Sequence, residues 1–254
     1  MPRINSARDI IIALSNKYHG DWNSIYNAIC KHEVLEAPEA WCAESKMTKQ
    51  SILTDADYPE ALKHVNKPPF VLYYRGDLSI ASAKHKVATT MSRHPDTELR
   101  DYAFKLIQDL PEDYIIVTSD ARVAKVADES SHKVILILPC GWNCEYNGVT
   151  DKLAWRIIAN GGLVVTTFPD DVLPDTNTCA YTNLITAGFA DALLVIELHH
   201  QGSGMISIMS MVETDKPVMV IPTNPNEDIA NNSIIKEGAC LVETVEDIID
   251  ILDN

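Results

Sequence analysis

The feature that most constrains the fold is a series of short apolar runs rich in β-branched residues, separated by stretches compatible with helices. The runs cover residues 114–118, 134–138, 163–167, 192–198 and 217–221, and a weaker one covers residues 87–90. Their hydrophobicity is continuous rather than alternating, which indicates strands that are buried on both faces. Helix-compatible stretches such as residues 97–110 and 151–159 lie between them.

This alternation predicts an α/β fold: a Rossmann-like, doubly wound and mostly parallel sheet with helices on both faces. Sheets of this kind bind ligands outside the carboxyl ends of their strands. The search for functional residues is therefore directed to the loops that follow the strands.

Three segments are predicted along the chain. Residues 1–50 form a small helical unit, SAM-like or a helix hairpin, because apolar residues recur there at intervals of three and four around a break at residues 19–21. Residues 51–84 are extended and punctuated by proline, with a short strand at residues 70–74. Residues 85–254 form the Rossmann-like domain.

The charge and composition of the chain limit its partners and its location. Its 254 residues carry a formal net charge of −15, which argues against a broad electrostatic grip on nucleic acid and leaves room for a small basic pocket. No stretch is apolar over the roughly 18–20 residues that a membrane-spanning helix needs, and the N-terminus lacks the apolar stretch of a signal peptide. The six cysteines follow no disulfide spacing. We expect a cytoplasmic protein without a membrane partner.

The sequence offers little for catalysis or for metal binding. Neither a Gly-x-Ser-x-Gly nor a His-Glu-x-x-His motif is present. Cys140 and Cys144 could join His199 and His200 in a metal site, but their spacing matches no standard zinc motif, and reduced thiols are the simpler interpretation. The two histidines could act as acid or base, yet no partner can be named for them. We therefore expect no enzyme activity, no metal and no cofactor.

The loop of residues 199–204 is the best candidate for binding a phosphate. It joins the strand at residues 192–198 to a helix-like segment at residues 205–213, and it contains Gly202, Ser203 and Gly204. Glycines at such a turn let backbone amides approach a phosphate at a helix N-terminus. Glycine and serine also begin helices for structural reasons alone, so both interpretations stay open.

The loops after two other strands carry polar or aromatic side chains. Ser92 and Arg93 follow the first strand, where the guanidinium could bind a phosphate or simply be solvated. Trp142 follows the strand at residues 134–138 and could stack on a base or belong to the core. Lys152 and Arg156 lie four residues apart on a predicted helix, where cations are more often solvated than functional.

A series of segments with specific patterns runs from about residue 51 to the end. The first two read ILTDADYPEAL at residues 52–62 and PPFVLYYRGDL at residues 68–78. The others lie at residues 87–93, 162–169, 187–197, 217–222 and 232–239. In this order they resemble the DprA/Smf family of DNA-processing proteins, within the Rossmann-like SLOG superfamily.

This resemblance implies a function and a set of site residues. Members of the family bind single-stranded DNA as homodimers, load the RecA recombinase onto it and support natural transformation. The positions that match the family's pocket are Ser92, Arg93, Asn183, Ser203 and Gly204, with Lys152 as a looser match in the helix after the third strand. The resemblance implies that these residues bind single-stranded DNA through its phosphates.

The chain departs from the family pattern around these positions. Met91 stands where the family has a glycine, and Thr182 and Leu184 stand where it has arginines. Residues 118–125 replace a segment that contains two glycines in the family. Because cations are lost and the net charge is −15, we expect weaker phosphate binding than in the family.

Two other functions stay open. The same pocket could belong to a binding or sensing module for a nucleotide-derived small molecule, which the acidic charge and the altered pocket favour. A nucleotide hydrolase of the lysine-decarboxylase-like branch ranks below it, because the signature Pro-Gly-Gly-x-Gly-Thr-x-x-Glu of that branch is absent at Gly202. Binding of single-stranded DNA predicts that the candidate residues converge on a basic concavity. Binding of a small molecule predicts that they line a closed cavity.

Overall fold

A computed structural model describes residues 6–35, 48–144, 151–225 and 228–253. The described chain begins with two short helices, α1 (Ala7–Lys17) and α2 (Trp22–Cys30). Each helix has an N-cap side chain, because Ser6 accepts a hydrogen bond from an amide of α1 and Asp21 accepts one from an amide of α2. Two helices thus lie within the segment that is predicted to be helical, and residues 36–47 of that segment lie outside the described chain.

Nine strands of the described residues form one sheet. They are β1 (Lys49–Ile52), β2 (Val71–Gly76), β3 (Lys86–Met91), β4 (Ile115–Thr118), β5 (Val134–Leu138), β6 (Leu163–Thr166), β7 (Ala192–Glu197), β8 (Val218–Val220) and β9 (Cys240–Leu241). Their order across the sheet is β1-β2-β6-β5-β4-β3-β7-β8-β9. The strands from β6 to β9 in this order pair in parallel, which confirms the mostly parallel sheet predicted from the sequence.

The proline-punctuated segment of residues 51–84 extends this same sheet. Strand β2, which corresponds to the strand predicted at residues 70–74, pairs antiparallel with β6, so that Tyr73 lies opposite Thr166. Strand β1 pairs antiparallel with β2, so that Ile52 lies opposite Val71. Strand β1 crosses the predicted boundary at residue 50, and the division of the chain into three segments stays a prediction.

Further helices of the described residues cover both faces of the sheet. They are α3 (Thr97–Gln108), α4 (Ala121–Glu129), α5 (Asp151–Ala159), α6 (Thr176–Phe189), α7 (Met205–Glu213), α8 (Asn231–Lys236) and α9 (Val245–Asp253). The helices predicted at residues 151–159 and 205–213 agree with α5 and α7, and α3 ends two residues before the predicted end at residue 110. Among the helices of the described ranges, none combines the length and the hydrophobicity that crossing a bilayer requires.

Successive residues of the central strands point to opposite faces and fill two apolar layers. On β7, Leu193 and Val195 belong to the layer that includes residues of α6, α7 and α8. Leu194 and Ile196 belong to the layer that includes residues of α3, α4, α5 and α9. All four side chains are completely buried. Burial on both faces explains why the strands appear in the sequence as continuous apolar runs, and it confirms the doubly wound arrangement.

A buried carboxylate joins α4 to α5. Asp128, near the end of α4, accepts hydrogen bonds from Arg156 Nε at 2.5 Å and from Asn160 Nδ2 at 2.9 Å. The side chain of Asp128 is only 2 % exposed, whereas that of Arg156 is 38 % exposed. Arg156 is therefore a structural partner of a buried charge and not a freely solvated surface cation.

Candidate functional site

A cavity of about 430 Å³ opens at the carboxyl ends of β3, β4 and β7. Its walls come from the loops that follow these strands, from α6 and from the turn that precedes α7. This is the position at which a doubly wound sheet is expected to bind a ligand. We refer to it below as the strand-end cavity.

A larger cavity, of about 710 Å³, lies between the turn that joins α1 to α2 and the helices α6 and α7. The carboxylates of Asp21, Asp175 and Glu213 line it together with the ammonium group of Lys67. Such an excess of negative charge disfavours an anionic ligand. The strand-end cavity is therefore the better candidate for binding a phosphate, although it is the smaller of the two.

The structure brings five of the six predicted site residues together. The residues that line the strand-end cavity are Ser92, Arg93, Asn183, Ser203 and Gly204. Lys152 does not line it, because it lies exposed near the start of α5. Trp142 also lies elsewhere, and the guanidinium carbon of Arg75 sits 3.9 Å from the centre of its ring. A ring that is stacked on a cation in this way is not presented to a base in the cavity.

Ser92 anchors the loop that follows β3. Its Oγ donates a hydrogen bond to Glu197 Oε1 at 2.5 Å, and its backbone N–H donates to the Glu197 carbonyl at 2.8 Å. The other oxygen of the Glu197 carboxylate accepts a hydrogen bond from the Asp96 amide at 2.9 Å. Because its hydroxyl hydrogen is already used, Ser92 holds the loop in place and has no free donor for a ligand.

Asn183 joins α6 to the turn that precedes α7. Its side-chain Nδ2 donates to the backbone carbonyl of Ser203 at 3.0 Å, and its backbone carbonyl accepts a hydrogen bond from Ser207 Oγ at 3.0 Å. The turn itself is held by the Gly202 amide, which donates to the His199 carbonyl at 2.8 Å. Asn183 therefore holds in place the turn of residues 199–204, which is the loop predicted to bind a phosphate.

Gly204 is required here by close packing. It lies directly before α7 with an ordinary helical φ of −62°. A Cβ at this position would lie 2.4 Å from Thr90 Oγ1 and 2.7 Å from Leu198 Cδ1. The absence of a side chain therefore allows the turn to lie against the end of β3.

We expect Gly204→Ala to lower the free energy of unfolding by about 1–3 kcal/mol, because the added methyl group overpacks this contact. Urea denaturation followed by circular dichroism measures the change. Ser203→Ala is the matched control, since its exposed side chain can be shortened with a change within about 0.5 kcal/mol. Adding Thr90→Ala to the glycine variant should recover part of the loss, and equal stability of Gly204→Ala and Ser203→Ala would contradict the packing argument.

Arg93 supplies an exposed positive charge at the strand-end cavity. Among the described residues, no carboxylate forms an ion pair with its guanidinium. A second arginine, Arg122, also lines the cavity, but it is paired with Asp120 at 2.6 Å. Arg93 is therefore the cation that is available to an incoming anion.

Arg122 and Thr182 are among the residues of this cavity that the sequence does not single out as site residues. Arg122 lies in a segment that departs from the family pattern, and Thr182 stands where the family has an arginine. The hydroxyl of Thr182 is buried and has no hydrogen-bond partner within the described part of the chain. A buried hydroxyl without a partner is unfavourable by about 1–3 kcal/mol, which a polar ligand in the cavity can relieve. No local sequence signal distinguishes such a threonine from an ordinary helix residue.

The possible metal site of two cysteines and two histidines does not assemble in the described residues. No group of three or more metal-ligating side chains is found in residues 6–35, 48–144, 151–225 and 228–253. Burial raises the pKa of Cys140 to about 12, which disfavours the thiolate form that binds metals. His199 lines the strand-end cavity and is exposed.

Comparisons with known proteins agree with the fold. A sequence profile of the family described as "DNA recombination-mediator protein A" matches residues 49–253. Protein Smf of Synechocystis sp. is 26 % identical over 215 residues, which cover 80 % of this chain and 54 % of that protein. DNA processing protein DprA of Streptococcus pneumoniae is 26 % identical over 214 residues, which cover 80 % of this chain and 74 % of that protein. The chain thus spans about half the length of the Synechocystis relative.

Two solved structures show the same fold. The crystal structure of DNA processing protein A from Streptococcus pneumoniae superposes with a TM-score of 0.82 at 20 % identity and covers 98 % of this chain and 99 % of its own. The protein from Helicobacter pylori, whose structure describes a single-stranded DNA binding mode, gives a TM-score of 0.68 at 22 % identity and covers 80 % and 95 % of the two chains. At these identities the likeness establishes the architecture.

Proposed function

The chain belongs to the DNA recombination-mediator protein A family, and from this premise we propose that it binds single-stranded DNA in the strand-end cavity. The protein acts in the cytoplasm as a binding protein rather than as an enzyme. As a homodimer it assists RecA-dependent recombination of DNA taken up by the cell. Arg93 is the residue that contacts a phosphate, and Asn183, Ser203 and Gly204 form the opposite wall.

The observation that carries this proposal is the position of Arg93. Its guanidinium lies at the carboxyl ends of parallel strands, where the fold binds ligands, and no described carboxylate pairs with it. The planar fork of an arginine matches two oxygens of a phosphate. A polar turn that begins α7 faces the same cavity.

The net charge of −15 determines how strong this binding is expected to be. Phosphate binding depends on the number of cations that contact the DNA, and among the described residues that line this cavity Arg93 is the one arginine or lysine without a carboxylate partner. Negative charge elsewhere on the surface repels longer DNA, and salt screens such distant charges over about 10 Å at 0.1 M. We therefore expect weak binding with a small number of phosphate contacts.

We expect Arg93→Ala to weaken the binding of a labelled oligothymidylate by at least about tenfold at low salt, because a charge-assisted hydrogen bond contributes about 1.5–3 kcal/mol and about 1.4 kcal/mol is tenfold. Fluorescence anisotropy at several salt concentrations measures both the affinity and its salt dependence. The slope of log K against log salt should fall by about 0.7 in the variant, since one phosphate contact to a single strand is lost.

Lys105→Ala is the matched control for net charge. Lys105 lies near the end of α3, is exposed and does not line the cavity. This variant removes one positive charge, as Arg93→Ala does, and should leave the salt slope unchanged. Absence of binding by the wild-type protein at low salt, or equal losses in the two variants, would contradict the proposed function.

The homodimer and the contact with RecA are parts of the proposal that rest on the family. Helix α7 presents an apolar surface for such contacts, because Met209 is 60 % and Val212 is 69 % exposed, whereas Ile208 and Met211 pack into the core. Large exposed apolar side chains that lie next to one another often mark an interface. Sedimentation equilibrium of the wild-type protein distinguishes a dimer from a monomer, and co-sedimentation with RecA tests the second contact.

A second candidate function is the binding of a nucleotide-derived small molecule. The volume of about 430 Å³ lies within the range of small-molecule pockets, and the unsatisfied hydroxyl of Thr182 provides a polar group inside it. The acidic net charge also favours a small ligand over a polymer of phosphates. Direct binding measurements with both ligands decide between them: a mononucleotide that binds while oligothymidylate does not would favour the second function.

A further inference from the structure

Asp120 and Arg122 form an ion pair at the start of α4, where both residues line the strand-end cavity. Arg122 Nε donates to Asp120 Oδ1 at 3.0 Å, and its Nη2 donates to Asp120 Oδ2 at 2.6 Å. The guanidinium and the carboxylate therefore meet in the two-pronged geometry that gives arginine pairs their directional strength.

The remaining N–H groups of Arg122 reach a different loop. Its Nη1 donates to the carbonyl of Arg93 at 3.1 Å, and its Nη2 also donates to the carbonyl of Ser92 at 3.2 Å. Four of the five N–H donors of a guanidinium are thus used within the protein. Arg122 ties α4 to the backbone that carries the Arg93 side chain.

Asp120 is hydrogen-bonded to the central strands of the sheet. Its amide donates to Thr118 Oγ1 at 3.1 Å, and that oxygen accepts a hydrogen bond from Thr89 Oγ1 at 2.9 Å. Thr118, the last residue of β4, and Thr89, within β3, are both buried. A continuous chain of hydrogen bonds therefore runs from two neighbouring strands through Asp120 and Arg122 to the loop after β3.

Arg122 differs from Arg93 in its charge environment, because Arg122 is paired with Asp120. A cation in the first turn of a helix faces the positive end of the helix dipole, which is unfavourable by about 0.3–1 kcal/mol. Asp120 offsets this cost and, through its hydrogen bond, raises the pKa of the Arg122 guanidinium. A charge that is already neutralised by a carboxylate contributes little to phosphate binding, whereas that of Arg93 stays available.

The loop after β3 is consequently held from two sides. Glu197 of β7 binds Ser92 and the Asp96 amide from one side, and Arg122 of α4 binds the carbonyls of residues 92 and 93 from the other. Residue 93 lies between these anchors. A side chain whose backbone is fixed before the ligand arrives loses less entropy on binding.

We propose that the Asp120–Arg122 pair is a positioning element that fixes the backbone of Arg93. Of the two arginines, only Arg93 then contacts the DNA phosphate, and Arg122 acts by holding Arg93 in place. This inference rests on the proposed function, since it assigns roles within the same site. It also assigns a role to Asp120 and Arg122 within residues 118–125, one of the places where the chain departs from the family pattern.

A double-mutant cycle tests this division of roles. We expect Arg122→Ala to weaken oligothymidylate binding by about two- to tenfold, the range that follows from ordering one side chain at an interface. In the Arg93→Ala background, the same change should have an effect below about 1.5-fold, because interacting residues are not additive. Equal effects of Arg122→Ala in both backgrounds would show that Arg122 contacts DNA by itself and would overturn the proposal.

Arg122→Lys separates charge from geometry. Lysine keeps the positive charge but cannot bind Asp120 and two carbonyls in one plane, so we expect it to bind DNA as weakly as Arg122→Ala does. Wild-type affinity in the lysine variant would overturn the positioning role. Thermal denaturation of each variant confirms that the binding measurements are made on folded protein.

Hydrogen exchange of the DNA-free protein keeps this inference distinct from the proposed function. The amides of residues 92, 93, 94 and 96 should exchange faster in Arg122→Ala than in the wild type, whether or not DNA binds. Failure of the wild-type protein to bind DNA would overturn the proposed function and the DNA role of the pair together. Normal wild-type binding with unchanged exchange and unchanged affinity in Arg122→Ala would overturn the positioning role alone.

Discussion

Replacement of Asn231 by alanine is expected to lower the free energy of unfolding by about 3–5 kcal/mol, because it leaves three buried backbone groups without partners. Asn231 is completely buried at the first position of α8. Its Oδ1 accepts a hydrogen bond from the Leu198 amide at 3.0 Å, and its Nδ2 donates to the carbonyls of Ile196 at 2.9 Å and Ile221 at 2.8 Å. One side chain thus satisfies the ends of β7 and β8 at a place that water does not reach.

The neighbouring Asn232 is the matched control. Its side-chain amide makes two hydrogen bonds. Nδ2 donates to the Thr223 carbonyl at 2.6 Å, and Oδ1 accepts from the Thr223 backbone amide at 3.1 Å. Asn232 is only partly buried, so water can replace its amide, and Asn232→Ala should cost about 1 kcal/mol. Urea denaturation of both variants measures the difference, and similar losses at residues 231 and 232 would contradict the burial argument.

The position of Asn231 also connects stability to the site. The Leu198 amide, to which it binds, belongs to a residue that lines the strand-end cavity. The loop of residues 199–204 starts directly after it. Asn231→Asp keeps the acceptor for this amide but places a buried carboxylate oxygen against the carbonyls of Ile196 and Ile221, so it should destabilise the protein at least as much as alanine does.

The sheet was predictable from the sequence because its strands are buried on both faces. The run predicted at residues 192–198 corresponds to β7 (Ala192–Glu197), and the run at residues 134–138 corresponds to β5 without any shift. A strand that packs against helices on each side has no polar face, so its apolar residues are consecutive. This signal is local, and a single sequence contains it completely.

Strand β1 was not predicted, for a reason that is equally physical. It reads Lys49-Gln50-Ser51-Ile52 and contains one apolar residue. Only Ser51 and Ile52 are buried, since β1 is the first strand in the order of the sheet and pairs with β2 alone among the described strands. What makes it a strand is its pairing with β2, about 20 residues later, and no short-range pattern carries that information.

The site was predictable as a place and less so as a set of contacts. The rule that ligands bind at the carboxyl ends of parallel strands led to Ser92, Arg93 and Ser203, and the structure brings these residues together. The sequence could not show that Glu197 uses the Ser92 hydroxyl, because the two residues are 105 positions apart. For the same reason the sequence could not show that Arg122 lines the cavity and that Lys152 does not, since the position of each cation depends on helix packing.

Arg156→Ala is expected to lower the free energy of unfolding by about 3 kcal/mol, because it removes the cation that compensates a buried carboxylate. Asp128 would keep the hydrogen bond from Asn160 at 2.9 Å but would lose its charge partner. The expected loss of stability is at the low end for a buried ion pair, since the side chain of Arg156 is 38 % exposed and water can approach from that side.

Lys152→Ala tests whether the loss of stability comes from leaving the buried Asp128 carboxylate without its cation or from removing any cation of α5. Lys152 lies on the same helix, one turn before Arg156, and is exposed, so its removal should change the stability by less than about 0.5 kcal/mol. Adding Asp128→Asn to Arg156→Ala removes the uncompensated charge and should recover at least half of the loss, because the amide keeps the shape of the carboxylate. If Arg156→Ala and Lys152→Ala unfold at the same urea concentration, or if Asp128→Asn recovers nothing, the ion pair does not stabilise the contact between α4 and α5.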